Sequence, residues 1–425
     1  MTLLRSDEMF NSPLIGSLIL LCVIGSGAHA QSKQDFSPHW QLSPHQSIFS
    51  PVYHGSSLFT PGPSVIESAP GGHVYVAAWA PDPSTGRFDI FVRRRDPDGS
   101  WRSGVKVSHE ARTAVFGSQP RLAVSHDGTV VVGWPAGEGM LAWSTDLGVS
   151  FNGPVSVTRG VPGLDIDVVV DSRDTLHVIW KGVDALGTWD VYYTHSVGSF
   201  SGRLSDIDPG RFAPLLNLTT DRENHAELSL AADDAGRVHI AFSSALPSEP
   251  VRCEWIMLHD DHLDRYRLPE QTAAGQVDVT PLGFAAFVFS KRDENTFDLR
   301  PHLIRFLPGS SLFTDNAIPS RGTMTVAGYA RSTAVQDDGT VAIAFNTCDQ
   351  DCLNLFNELV VSRDFGLTFS LPLIVTIYRN SQGYLEGHPP ALTLDESGTI
   401  HMTYEGPYLD GSPNHVIYLQ ARYRQ

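Results

Sequence analysis

Residues 126 to 134 read HDGTVVVGW. A glycine turn leads into a short run of valines that ends in an aromatic residue, which is the pattern of a buried strand entered through a tight hairpin turn. The pattern recurs as DDAGRVHIAF at 233 to 242, DDGTVAIAF at 337 to 345 and DESGTIHMTY at 395 to 404. This recurrence predicts a repeat architecture rather than a series of unrelated domains.

The repeating unit contains four strands. Three further apolar stretches extend the series, namely HVYVAAW (73 to 79), TLHVIW (175 to 180) and FAAFVF (284 to 289). Most follow an alternating strand such as ELSLAAD and precede a third strand such as ELVVS and a fourth such as FSLPLIV. Four antiparallel strands with a period of about 45 to 55 residues indicate propeller blades. We predict an all-β propeller of seven blades, with six as the alternative because the fifth unit (275 to 321) shows no clear glycine turn.

The last unit, 387 to 425, ends after its third strand. The stretch FSPHWQLS at 36 to 43 resembles the fourth strands of the other units, with an aromatic residue, a proline and a closing Leu-Ser. We therefore predict that the N-terminal strand completes the last blade, which would remove the exposed edges of an open sheet. The alternative is an unpaired N-terminal tail.

Residues 1 to 30 have the pattern of a secretory signal peptide. Arg5 precedes an apolar run from Leu14 to Ile24, and Ala28-His29-Ala30 is a small-residue cleavage site. The alternative of a membrane anchor is weakened because the run is shorter than the about 20 residues needed to span a bilayer. We expect residues 31 to 425 to form one propeller domain that is secreted or periplasmic, with no membrane span after cleavage.

Charge and cysteine content limit the partners. The net charge of -17 repels phosphate backbones and makes nucleic acid an unsuitable partner. The three cysteines beyond the signal are too few for a disulfide scaffold, and we expect Cys348 and Cys352 to pair while Cys253 stays free. Asp349 and Asp351 could instead hold calcium, but no EF-hand loop follows them. We expect a monomer with no cofactor and no metal.

Two octapeptides share the form Ser-x-Asp-x-Gly-x-x-Phe: STDLGVSF at 144 to 151 and SRDFGLTF at 362 to 369. Each lies between the third and fourth strands of a unit, where glycine allows a positive φ and aspartate accepts hydrogen bonds from turn amides. We expect a structural role for the positions that they share, which are Ser144, Asp146, Gly148, Phe151, Ser362, Asp364, Gly366 and Phe369.

These octapeptides and the repeat around them resemble the Asp-box, or BNR, repeat of the sialidase-like superfamily of β-propellers. The resemblance covers nearly all of residues 36 to 425 as architecture and implies a glycan-related role. Sialidases of this kind use an arginine triad, with one arginine in a Phe/Tyr-Arg-Ile-Pro motif, a Tyr-Glu nucleophile pair and an aspartate acid/base. That motif is absent from this sequence, so no catalytic residue is transferred. Polysaccharide lyases on propellers, similar in architecture only, use His, Tyr and Arg.

A propeller binds ligands in the funnel at one end of its central channel, which the starts of the first strands reach. Arg121 and Asp167 occupy the same position of adjacent units, with Gln119, Asp165 and Glu227 two residues earlier. The candidate ligand-binding residues are Arg121, Asp165, Asp167, His225, Glu227, Tyr329, Arg331, Glu386 and His388. The alternative is that Arg121 and Asp167 form an ion pair between blades.

Two other patterns carry weaker hypotheses. His177, His239 and His401 recur at one position of the second strands, which favours packing or hydrogen bonding between blades over metal ligation. Asn217-Leu-Thr219 is a glycosylation sequon.

The sequence thus predicts a secreted propeller that binds or processes a glycan or glycoconjugate in its funnel. If it is an enzyme, we expect a glycoside hydrolase of exo-sialidase-like kind or a polysaccharide lyase. The alternative is a non-catalytic binding or scaffold propeller for protein interaction.

Overall fold

Seven antiparallel sheets form a closed ring in the computed structural model, and the first strand of each sheet contacts the first strands of both neighbours. The prediction of a seven-bladed all-β propeller is confirmed. The structure describes residues 39–50, 52–54, 57–59, 62–82, 84–85, 88–108, 119–184, 187–197, 209–221, 223–246, 249–259, 262–293, 299–307, 314–322, 324–326, 332–349, 354–379, 390–406 and 415–424.

Strands are numbered within each blade from the channel outward. Blade 1 contains Ser64–Ser68, Val74–Pro81, Phe88–Arg95 and Val105–Lys106. Blade 2 contains Arg121–Val124, Val130–Pro135, Gly139–Ser144 and Asn152–Ser156. Blade 3 contains Gly163–Val170, Leu176–Val183, Trp189–His195 and Leu216–Asn217. Blade 4 contains Asn224–Ala232, Val238–Ala245, Arg252–His259 and His262–Arg267.

The remaining blades include two in which one strand is interrupted. Blade 5 contains Thr272–Val279, Ala285–Arg292, Leu299–Phe306 and Thr314–Ala317. Blade 6 contains Met324–Val326 with Thr333–Val335, then Val341–Cys348, Asn354–Ser362 and Leu373–Arg379. Blade 7 contains Ala391–Leu394, Ile400–Gly406, His415–Tyr423 and an outer strand formed by Trp40–Leu42 and Gln46–Phe49. A small hairpin pairs Val52–His54 with Ser57–Phe59, and two short 3-10 turns are Pro70–Gly72 and Pro209–Arg211.

The N-terminal strand closes the ring, as the sequence predicts. Trp40 lies opposite Tyr423 and Leu42 opposite Ala421 in an antiparallel ladder. After a break, Gln46–Phe49 continues along the same C-terminal strand. Trp40 is buried in the hydrophobic cluster between blades 6 and 7, so closure adds core as well as backbone hydrogen bonds.

The hydrophobic core lies between blades rather than in the channel. Tyr75 and Trp79 of blade 1 share one cluster with Leu122 and Trp134 of blade 2. Such clusters follow from the continuous apolar runs of the second strands, since both faces of each blade are covered by a neighbour. Truncating a buried tryptophan such as Trp134 to alanine would cost about 3 to 5 kcal/mol.

The fifth unit has a glycine turn that the sequence analysis missed. Its first and second strands are joined by Thr280 to Gly283, where the Gly283 amide donates to the Thr280 carbonyl over 2.8 Å. The turn residues Pro281 and Leu282 replace the aspartates that mark most of the other turns, so the turn was not recognised in the sequence. The blade begins at Thr272, slightly earlier than the predicted 275.

Across the residues described above, no helix has the length and hydropathy needed to cross a membrane.

Candidate functional site

The first strands are joined around the channel by side chains that bond to the next blade's backbone. Gln119 Nε2 donates to the Ser64 carbonyl over 2.7 Å, which links blades 1 and 2. The Val277 amide donates to Ser229 Oγ over 3.1 Å, linking blades 4 and 5. The Ser332 amide donates to Gln276 Oε1 over 2.8 Å, linking blades 5 and 6. We call this set of contacts the inner seam.

Arg121 and Asp167 belong to the inner seam. Arg121 is only 2% exposed, and its Nε donates to the Ile166 carbonyl of blade 3 over 3.1 Å. Its Nη2 reaches the Leu228 carbonyl of blade 4 over 3.3 Å. Asp167 is fully buried and accepts from the Leu230 amide over 2.8 Å. The guanidinium lies 3.7 Å from Asp165 and 3.9 Å from Asp167. Arg121 therefore holds blades 2, 3 and 4 together.

Asp165 is the more accessible carboxylate on the same strand, with 21% of its side chain exposed. Its Oδ2 accepts from the Leu228 amide over 3.4 Å, which places it against the strand of blade 4 that carries Glu227. Burial raises the pKa of Asp165, with a further contribution from Asp167, and outweighs the lowering by Arg121, the Leu228 amide and Lys181. Asp165 therefore keeps its proton to a higher pH than an ordinary aspartate does.

Glu227 has an unusual backbone. Its φ is 59°, in the left-handed region, although it lies inside the strand Asn224–Ala232 where the register shifts between Ala226 and Ser229. The other non-glycine residues of the described chain with positive φ lie outside strands: Leu147, Arg159, Asp174, Gln271 and Phe365. Ser243 Oγ donates to Glu227 Oε2 over 2.5 Å and holds the carboxylate in place. Strain of this kind is concentrated at functional sites, which makes Glu227 the strongest single indication of one here.

Lys181 is a neighbour of Asp165 that was not among the predicted site residues. It lies opposite Asp165 on the neighbouring strand of blade 3, and its Nζ lies 4.8 Å from the ring centroid of Trp189. Burial lowers the pKa of Lys181, while Asp165 and Glu227 act in the opposite direction. Only the register of the hairpin could have revealed this neighbour in the sequence, because Lys181 lies opposite Asp165 only when the two strands are paired correctly.

His225 is fully buried two residues before Glu227. Its Nε2 lies 3.0 Å from Asp221 Oδ1, and its ring meets Phe242 edge to face. Burial lowers the pKa of His225 against the raising effect of Asp221. Asp221 also accepts from Arg265 over 2.8 Å, and Arg265 donates in turn to the buried Glu254. His225 therefore belongs to a charged network at the end of blade 4 and not to the group that contains Asp165 and Lys181.

The structure brings together Arg121, Asp165, Asp167 and Glu227, and it adds Lys181, Ser243 and Trp189. We call the accessible part, Asp165, Lys181, Trp189 and Glu227, the rim site. Four other candidates, Tyr329, Arg331, Glu386 and His388, lie outside the described residues. Among the residues that are described, no group of three or more His, Cys, Asp and Glu side chains could hold a metal ion.

The two octapeptides form the same turn. Ser144 Oγ donates to Asp146 Oδ1 over 2.7 Å, and Asp146 accepts from the Val149 and Ser150 amides over 3.1 and 2.9 Å. Ser362 Oγ likewise donates to Asp364 over 2.7 Å, and Asp364 accepts from the Thr368 amide over 2.8 Å.

Each turn also contacts the preceding blade. Arg94 of blade 1 donates to the Leu147 carbonyl over 2.6 Å, and Arg305 of blade 5 donates to the Phe365 carbonyl over 3.2 Å. A Cβ on Gly366, whose φ is 74°, would lie 2.3 Å from Leu303 of blade 5. Glycine is thus needed at this position for close approach as well as for conformation. Phe151 and Phe369 are partly buried against clusters that span two blades.

The recurring histidines bond within their own blades. His177 Nε2 lies 3.2 Å from Asp171 of the preceding turn, and its Nδ1 lies 2.8 Å from Tyr193 Oη. His401 repeats the arrangement, with Nε2 3.0 Å from Asp395 and Nδ1 2.7 Å from Tyr418 Oη. His239 instead stacks on Trp255. The predicted packing is confirmed for all three. The alternative of hydrogen bonds between blades is wrong for His177 and His401, because both bond to partners of their own blade.

Cys348 is disulfide-bonded and Cys253 is a buried free thiol. Cys352 and Asp351 lie outside the described residues, so the pairing of Cys348 with Cys352 stays a prediction. Asp349, the other acid of the calcium alternative, accepts from the Asn354 amide over 3.2 Å.

The sequon residues are committed to the fold. Asn217 Nδ2 donates to Asp190 over 2.7 Å. Thr219 is fully buried and accepts from the Val191 amide over 2.9 Å. Both side chains are hydrogen-bonded within blade 3, and glycosylation of Asn217 stays a prediction.

Comparison with known proteins identifies the fold class and no family. No family model matches the chain, and no curated protein matches it. Among solved structures, the chain is similar to an ulvan lyase of a new polysaccharide lyase family bound to -[GlcA(1-4)Rha3S]-, with TM-score 0.55, 10% identity, and coverage of 88% of this chain and 95% of the lyase. It is also similar to a protein of unknown function from Dyadobacter fermentans, with TM-score 0.53, 14% identity and coverage of 91% and 100%.

A third similar structure is the α-L-arabinanase of Penicillium chrysogenum complexed with arabinobiose, with TM-score 0.51, 11% identity and coverage of 90% and 98%. At such identities these similarities show a shared propeller fold alone.

Proposed function

We propose that the protein binds a glycan at the rim site. The observation that carries this proposal is the left-handed backbone of Glu227 in mid-strand. The next residue, Leu228, donates its amide to Asp165, and both carboxylates oppose the lowering of the Lys181 pKa by burial. Carboxylates and an ammonium group bind sugar hydroxyls, and the Trp189 indole offers an apolar surface for a sugar face. Two propellers of the same fold are described in complex with glycans, which supports the compatibility of this architecture with such a site.

The predicted site residues divide into two groups with different roles. Arg121 and Asp167 are buried in the inner seam, and we assign them to holding blades 2, 3 and 4 together. Asp165 and Glu227 remain as ligand contacts, with Lys181 added. The Ser-Asp-Gly turns support membership of the sialidase-like Asp-box propellers, although the arginine motif of sialidases is absent.

We also propose that the protein is secreted or periplasmic and acts as a monomer. The signal-like residues 1 to 30 support export. The disulfide at Cys348 is consistent with an oxidising compartment.

A glycan array probed with residues 31 to 425 tests the binding proposal. We expect one glycan class to bind, and Glu227→Gln or Lys181→Met to weaken binding at least about tenfold, the effect of losing about 1.4 kcal/mol of contact. Glu396→Gln is the matched control, because Glu396 is an exposed carboxylate in a turn between strands of blade 7. Absence of any bound glycan, or equal binding by all variants, would favour the scaffold alternative.

A further inference from the structure

We propose that the rim site is catalytic and hydrolyses a glycosidic bond, with Asp165 as the proton donor and Glu227 as the group that takes a proton from water. This inference rests on the proposed glycan binding and extends it to a reaction. It follows from the different environments of two carboxylates that the fold holds at one repeat position of adjacent blades.

Geometry places Asp165 against the strand segment that carries Glu227. Asp165 accepts from the amide of Leu228, the residue that directly follows Glu227. The Leu228 carbonyl also accepts a hydrogen bond from Arg121, which bonds to the Ile166 carbonyl as well. The strand that carries Glu227 is therefore linked to the strand that carries Asp165 by two sets of contacts. A pair fixed in this way requires no rearrangement before it acts on a bound sugar.

Asp165 has the properties of an acid. Its side chain is largely covered but 21% exposed, so it can reach a ligand while being poorly hydrated. Burial and the nearby Asp167 raise its pKa. A carboxyl group that keeps its proton in a partly buried site is what protonation of a leaving oxygen requires.

Glu227 has the properties of a base. Ser243 donates a 2.5 Å hydrogen bond to Oε2, which fixes the orientation of the Glu227 side chain. The Lys181 ammonium group interacts with both Glu227 and Asp165, and its contact with the Trp189 ring limits its movement. Glycoside hydrolysis generally uses a pair of carboxyl groups, one that donates a proton and one that accepts a proton from water.

The step balances without any further reactant. The Asp165 proton moves to the glycosidic oxygen as the bond between that oxygen and the anomeric carbon breaks. A water oxygen bonds to the anomeric carbon, and one water proton passes to Glu227. The products are two sugars, one with a new reducing end, and the proton on Glu227 is later returned through solvent to Asp165.

The test uses whichever array glycans bind to residues 31 to 425, assayed for new reducing ends. We expect hydrolysis by the wild-type protein, and Asp165→Asn and Glu227→Gln to lose about 100-fold or more in kcat, the scale of general acid or base catalysis. Bound glycan should still be retained by both variants at elevated concentration. Asp234→Asn and Glu396→Gln are matched controls, since both acids are exposed in turns between strands and neither belongs to the rim site.

A Lys181→Met variant provides a readout that a structural role would not move. Lys181 lowers the pKa of Asp165, so its removal should raise that pKa and shift the alkaline limb of kcat/KM to higher pH. This measurement also serves if Asp165→Asn fails to fold. An unchanged alkaline limb would contradict the role of Asp165.

The outcomes separate this inference from the binding proposal. If no glycan binds, the proposed function itself fails. Binding without new reducing ends leaves the binding proposal intact and overturns hydrolysis. Products that absorb as unsaturated uronates would show β-elimination instead, and full activity in Asp165→Asn or Glu227→Gln would place the chemistry elsewhere.

Discussion

Asp146 illustrates how much a single side chain contributes to a turn. It accepts two turn amides and the Ser144 and Ser150 hydroxyls, and these hydrogen bonds outweigh the effect of burial and lower its pKa to about 2. We expect Asp146→Ala to lower the free energy of unfolding by about 1 to 2 kcal/mol, the scale of a lost cap-like hydrogen bond. Denaturant titration measures this, and glycan binding by the folded protein should not change.

The same group gives a signed pH dependence. Because the folded pKa of Asp146 lies below its ordinary value of 3.8, its contribution is fully present above 3.8 and is lost as the pH falls toward about 2. The stability difference between the wild-type protein and Asp146→Ala should therefore shrink in that window. A difference that persists in acid would mean that the carboxylate is not what stabilises the turn.

Arg121 gives the opposite kind of prediction. Its removal takes away the cationic neighbour of Asp167 and the side-chain donor to two backbone carbonyls. Breaking one partner of a buried charged contact typically costs about 3 to 5 kcal/mol, so Arg121→Ala should unfold at a much lower denaturant concentration. If the variant is as stable as the wild-type protein but binds glycan poorly, Arg121 contacts ligand and the seam assignment is wrong.

At the scale of strands, the sequence predicted what local chemistry determines. Second strands were recognised by a glycine turn followed by β-branched residues. The stretch HDGTVVVGW, for example, contains the strand Val130–Pro135. The position shared by Arg121 and Asp167 was found by counting from the turn. Counting did not show which way these side chains point. Both bond to the next blade, because alternate residues of a first strand face the inner seam.

Contacts between blades were the least predictable from sequence. Arg94 and Arg305 lie opposite the second residues of their second strands, Tyr75 and Ala286, and each bonds to a Ser-Asp-Gly turn of the following blade. The sequence contains both arginines at equivalent repeat positions, yet nothing local links them to turns more than fifty residues away. The bulge at Glu227 was hidden in the same way, since it depends on the pairing of two strands.

The closing strand offers a test at this scale. Deleting residues 31 to 47 removes Trp40–Leu42, whose ladder with His415–Tyr423 completes blade 7. We expect the whole domain to be destabilised, because blade 7 loses backbone pairing and the buried Trp40 side chain. Trp40→Ala alone should have an intermediate effect of about 3 kcal/mol. A truncated protein that melts within a few degrees of the intact one would contradict the importance of closure.

Over the whole molecule, buried histidines should make the propeller sensitive to mild acid. Burial lowers the pKa values of His45, His195, His225 and His239 below the ordinary 6.5. Between 6.5 and the lower folded values, the unfolded chain binds protons that the folded chain does not, so stability falls as the pH drops. Denaturant midpoints measured on either side of 6.5 should show this loss.

His45 provides the specific variant. Its Nδ1 lies 2.6 Å from Tyr404 Oη, beside the closing strand Gln46–Phe49. Replacing it by glutamine should flatten the pH dependence, because the lowered pKa of His45 then no longer contributes. An equal slope in the wild-type protein and His45→Gln would place the acid sensitivity elsewhere.

The closed ring also constrains the order in which the chain can be assembled. His39 and Arg424 are hydrogen-bonded although 385 residues separate them along the chain. A ribosome or an export channel delivers the N-terminal end first, so the strand containing Trp40 has to wait, unpaired, until the last strand emerges. Completion of the ring is then the final and most non-local event of folding, and such events are slow. Joining the two ends covalently and opening the chain in a loop between blades would give a circular permutant whose last blade folds without that wait.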